Sequence, residues 1–104
     1  MTLDDINLCK EFVHQLGFIV HIGGGVFVDN TINWTHEIAH LDTSLNIATI
    51  YNVKTTPDGQ PYYAVYGDRF SDLSAFKSRL LENIKTYKHY LSLYRLNHID
   101  KDFV

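Results

Sequence analysis

A chain of 104 residues has room for one domain and one hydrophobic core, not two. Hydrophobic residues make up 45% and charged residues 20%, a globular composition that excludes a disordered chain, and no apolar run approaches the ~18 residues of a membrane span. The formal charge of -3 is too small to mark the whole chain as a nucleic-acid or membrane binder, but it is unevenly spread. Residues 1–45 hold Lys10 alone against Asp4, Asp5, Glu11, Asp29, Glu37 and Asp42, whereas the last helical segment holds Lys77, Arg79, Lys85, Lys88 and Arg95 against Glu82. Cys9 is the single cysteine, so no internal disulfide forms, and the acids within residues 1–16 argue against a signal peptide. The expectation is a soluble cytoplasmic protein.

In chain order, Thr2 to Leu16 reads as a helix. Thr2 and Asp5 resemble a capping box, Ile6, Cys9, Val13 and Leu16 form one stripe, and Gly17 is placed to close it. Cys9 falls on the apolar side as a small buried hydrophobe. Phe18 to Ile22 is β-branched and aromatic, and Gly23-Gly24-Gly25 turns it into Val26-Phe27-Val28. The triple glycine lacks both the Gly-Lys-Ser/Thr of a P-loop and the spacing of a dinucleotide site, so it reads as a hairpin turn. Residues 31–45 fit two templates, a helix through Trp34, Ile38, Leu41 and Leu45 or a strand alternating through Trp34, His36, Ile38 and His40. The turn compositions on either side and the β-branched content lean toward strand. Ile47 to Lys54 is a strand, Thr56-Pro57-Asp58-Gly59 a turn, and Pro61 to Tyr66 the return strand.

The strongest periodic signal comes last. From Ser71 to Leu96, residues Leu73, Phe76, Leu80, Ile84, Tyr87, Leu91 and Tyr94 recur at steps of three and four, which at about 100° per residue makes one buried stripe. Ser71 is the expected N-cap, with Asp72 meeting the positive helix end, and the tail from Asn97 to Val104 is expected to be loose. The fold expected is α+β in a single domain, 1–104: an antiparallel sheet of four or five strands with an N-terminal helix and a long C-terminal helix packed on it.

One pentapeptide points to chemistry. His36-Glu37-Ile38-Ala39-His40 matches His-Glu-x-x-His, and in these five residues the chain resembles the zincin metallopeptidases. That resemblance implies a helix on which His36 and His40 bind zinc, with Glu37 as general base activating the metal-bound water. The family's downstream His-x-x-Gly-x-x-His extension is absent, so a third ligand would come from elsewhere, such as Glu82 or Asp58. If residues 33–42 are instead a strand, the two histidines lie ~13 Å apart along the chain and cannot share one ion.

The basic last helix suggests contacts of a different kind. Lys77, Lys88 and Arg95 fall within about 20° of one another around the helix and offer an edge for a protein partner with an acidic surface. Tyr87, Tyr90 and Tyr94 raise base stacking, yet Tyr87 and Tyr94 lie on the apolar stripe and the net charge is negative, which disfavours nucleic acid. No nucleophile elbow or triad is present. The leading expectation is therefore a small non-catalytic interaction protein, of regulatory or inhibitor type, that binds a larger protein without a cofactor. The alternatives are a minimal zinc peptidase built on His36, Glu37 and His40, and a nucleic-acid-binding module built on the last helix.

Overall fold

Thr2 starts the first helix, α1 (Leu3–Gln15), by the reciprocal bonds of a capping box: its hydroxyl accepts from the Asp5 amide at 3.1 Å, and its amide donates to the Asp5 carboxylate at 3.0 Å. The helix ends as expected at Gly17, whose φ of 91° lets the Phe18 amide reach back to the Val13 carbonyl at 3.1 Å. The computed structural model describes residues 1–28 and 37–102, and side chains through Asn97.

Five strands follow: β1 (Ile19–Val20), β2 (Gly25–Phe27), β3 (Glu37–Asp42), β4 (Ile47–Thr55) and β5 (Pro61–Phe70). They pair antiparallel in sequence order, each strand beside the next. The triple glycine forms the first turn, with the His21 amide donating to the Gly25 carbonyl at 2.8 Å. The strand reading holds for residues 37–42, and the part of it covering 31–36, including His36, lies outside the described residues. β5 runs on to Phe70, past the Tyr66 expected from sequence. Gly67 and Asp68 look like turn residues, but Gly67 pairs with Tyr51 so closely that a Cβ there would run into the Ile50 carbonyl. Register shifts between Tyr51 and Val53, and Asn83 of the second helix donates to the Tyr51 carbonyl at 3.0 Å beside this irregularity.

Register also sorts the sheet into two faces. Val26, Ala39 and Ile50 lie abreast, as do Leu41, Ala48 and Phe70 two residues along. With Ile6, Cys9 and Val13 of α1 and Phe76 and Leu80 of the second helix, they build the core. That helix, α2, spans Leu73–Asp102. Its cap is Asp72 rather than the expected Ser71: the Asp72 carboxylate accepts from the Ala75 amide at 2.9 Å.

α2 is also longer than the sequence suggested, continuing as helix through the tail expected to be loose as far as Asp102. At 1.5 Å per residue it is about 45 Å long, more than the roughly 33 Å of the ten-residue β5, the longest strand it packs against. The sheet cannot cover such a helix end to end. Leu73, Phe76, Leu80, Ile84 and Tyr87 pack on the core, with Tyr87 stacked on Tyr63 of β5 at 4.9 Å. Among the described residues, α2 packs on the core as far as Tyr87; Leu91 and Tyr94, the next positions of the stripe, are half-buried, whereas Leu93 and Leu96 off the stripe are exposed. The elongated outline, 55 × 25 × 23 Å, reflects this overhang.

Candidate functional site

Glu37 and His40 sit on β3, so the helical form implied by the zincin resemblance is not the one they adopt. In a regular strand, residues three apart point to opposite faces. Here Val26 pairs with Ala39 but Phe27 pairs with Glu37, so β3 carries one extra residue, Ile38, at this point. The bulge sends both Ile38 and Ala39 into buried positions and turns Glu37 onto the face that carries His40. His40 Nδ1 lies 3.4 Å from Glu37 Oε1, and the Tyr51 hydroxyl donates to the same oxygen at 3.2 Å. The Glu37 side chain is only 12% exposed, against 37% for His40. Gly25, opposite His40, leaves the room: a Cβ there would lie 3.3 Å from Glu37 Oε1 and 2.8 Å from the Phe27 ring.

Burial, and then the Glu37 charge and hydrogen bond, push the Tyr51 phenol up to about 12, so it stays a donor to Glu37 throughout the neutral range. Beside the pair is a cavity of about 90 Å³ lined by Glu37, Tyr51, Ala64 and Val65. That is room for about three water molecules at ~30 Å³ each, far below the roughly 300 Å³ at which ligand pockets begin. Glu82 lies on α2 and Asp58 in the β4–β5 turn. Among the described residues, no three His, Cys, Asp or Glu side chains gather where they could hold a metal. The described part of the pentapeptide is thus a cross-strand clamp: one carboxylate oxygen shared by a phenol of β4 and an imidazole of its own strand. Sequence alone did not single out Tyr51, because only the β3–β4 register brings it to Glu37.

The three basic residues of the expected interaction edge divide. Lys77 is half-buried, with its ammonium 5.3 Å from the centroid of the Phe12 ring of α1. Lys88 and Arg95 are exposed on the overhanging part of α2 and form no ion pair among the described residues. The three share a line along the helix, but that line is about 27 Å long from Lys77 to Arg95. Arg79, by contrast, is tied to Asp68 of β5 at 3.2 Å.

Three further side chains on the overhang stand out: Tyr90, Leu93 and Leu96 are exposed, Leu93 at 45% and Leu96 at 59%. A signal for them was present in the sequence. They recur every three residues off the main stripe, inside a segment, 83–99, that has Lys85, Lys88 and Arg95 and no Asp or Glu. Tyr87, a stacking candidate for nucleic acid, is occupied by Tyr63. No helix among the described residues is long and apolar enough to cross a membrane. Comparison of the chain with protein-family models, with curated proteins and with solved structures returns no match.

Proposed function

We propose that the chain is a small non-catalytic, regulatory protein that binds a larger protein through the part of α2 beyond Tyr87. The observation that carries this reading is the pairing of an overhanging helix with exposed Leu93 and Leu96. Exposed leucines on a solvated helix contribute nothing to folding, whereas covering them with a partner gains about 25 cal/mol per Å² of apolar surface. Tyr90 beside them adds a large contact at small cost in side-chain entropy. Two features support a non-catalytic role: Glu37 Oε1 is already shared by two partners, and the adjoining cavity is smaller than a substrate pocket. The buried, unpaired thiol of Cys9 fits a reducing compartment, the cytoplasm.

The test places a photo-crosslinking amino acid at Ser92, on the overhang, in the full-length chain expressed in its own cells. The expected result is one dominant protein adduct that disappears in the double variant Leu93→Ser/Leu96→Ser and persists in Leu81→Ser, a control at an exposed leucine nearer the domain. Absence of any adduct, or an adduct indifferent to the double variant, would overturn the reading.

A further inference from the structure

The overhang has a charge pattern as well as an apolar one. Around the helix at about 100° per residue, Lys85, Lys88, Ser92 and Arg95 gather within about 80°, and the exposed Tyr90, Leu93 and Leu96 cover the adjoining arc of about 120°, with Leu96 about 20° from Lys85. Residues 83–99 carry a formal charge of +3 in a chain of -3, which leaves -6 on the remainder. We infer that this segment is a helix-in-groove ligand, and that its partner presents an apolar groove rimmed with carboxylates. The inference rests on the proposed binding role of the overhang and adds the chemistry of what receives it.

Three observations favour a protein groove. The helix is already formed and continuous with a packed domain, so docking it costs little ordering entropy. Its exposed apolar side chains recur at Tyr90, Leu93 and Leu96, the spacing of successive anchors along one helix face. The cations line one edge of that face, where they meet carboxylates on one rim of a groove while the leucines enter its floor. An anionic bilayer suits the same helix less well. Three cations attract it by only about 1 kcal/mol each, and an extended plane also meets the acidic remainder of the chain, whereas a groove receives the overhang alone.

Two probes separate these outcomes, both used with the full-length chain. One is calcium-loaded calmodulin, whose adaptable, methionine-rich grooves accept basic amphipathic helices of many sequences. The other is vesicles of phosphatidylserine and phosphatidylcholine. Titration calorimetry at about 50 mM salt is expected to show micromolar binding to calmodulin. That binding should weaken about tenfold or more in Lys85→Glu/Lys88→Glu/Arg95→Glu, by a similar factor in Leu93→Ser/Leu96→Ser, and on raising salt to about 500 mM. Both variants change only exposed side chains, and an unaltered circular dichroism spectrum checks that they fold. No binding at about 100 µM, binding indifferent to charge reversal, or tighter binding to the vesicles overturns the inference. If calmodulin stays silent while the crosslink at Ser92 still traps a protein, the acidic groove is wrong and the binding role stands. Loss of the crosslink removes both.

Discussion

Leu80 and Leu96 belong to one helix, but the structure places one in the core and leaves the other on the overhang. Leu80 is fully buried among Phe76 and the residues of β3 and β4, whereas Leu96 is 59% exposed. Leu80→Ala removes about three methylene equivalents from a packed site, a transfer loss of about 2.4 kcal/mol at 0.8 kcal/mol each. The unfilled cavity adds to this, for a total of about 3–4 kcal/mol. A domain of this length has only about 5–15 kcal/mol to lose, so the melting temperature should fall by roughly 12–25 °C. Leu96→Ala should cost less than about 1 kcal/mol, since much of its surface is wet in both states and Ala is a good helix former. Urea denaturation followed by circular dichroism at 222 nm measures both, with an unchanged m-value confirming a true stability difference. Equal losses for the two variants would refute the division of the helix at Tyr87. A loss at Leu96 that grows with protein concentration would mean that a second copy covers the overhang.

Asp72→Ala should cost about 1 kcal/mol by removing the acceptor for the Ala75 amide, while Ser71→Ala should be close to neutral; the reverse order in a thermal melt would return the cap to Ser71. Tyr51→Phe removes the hydroxyl that serves Glu37 and should destabilise by about 1 kcal/mol with no change of fold, a loss expected to vanish when Glu37→Ala has already removed the acceptor; an equal loss in both backgrounds would assign the hydroxyl another role. Burial first, and then the nearby Asp5 charge, push the Cys9 thiol up to about 11 from 9.0, so the folded state holds this proton more tightly than the unfolded chain. The associated stability is complete below about pH 9 and is lost as pH rises toward about 11, by up to roughly 2 kcal/mol. Cys9→Ala should abolish that slope in alkaline urea melts, and an unchanged slope would assign it to other groups.

Much of the architecture is written locally. The Thr2–Asp5 box, the stripe of Ile6, Cys9 and Val13, and Gly17 lie within a few turns of chain, so spacing and capping chemistry predict α1 without knowledge of its surroundings. The β4–β5 hairpin follows in the same way from two β-rich runs around Pro57-Asp58-Gly59, and the long helix from its period. How much of that helix is buried was not legible, because a periodic stripe reports a potential face and not the extent of what covers it. The core packing of α2 runs as far as Tyr87, and beyond it Leu91 and Tyr94 on the stripe are half-buried while Leu93 and Leu96 beside it stand in solvent. The pentapeptide marks the other boundary. A strand with period two separates Glu37 from His40, and one extra residue opposite β2 reunites them and brings in Tyr51 from β4. A bulge is a property of pairing between strands distant in sequence, and so it exists only once the sheet has formed.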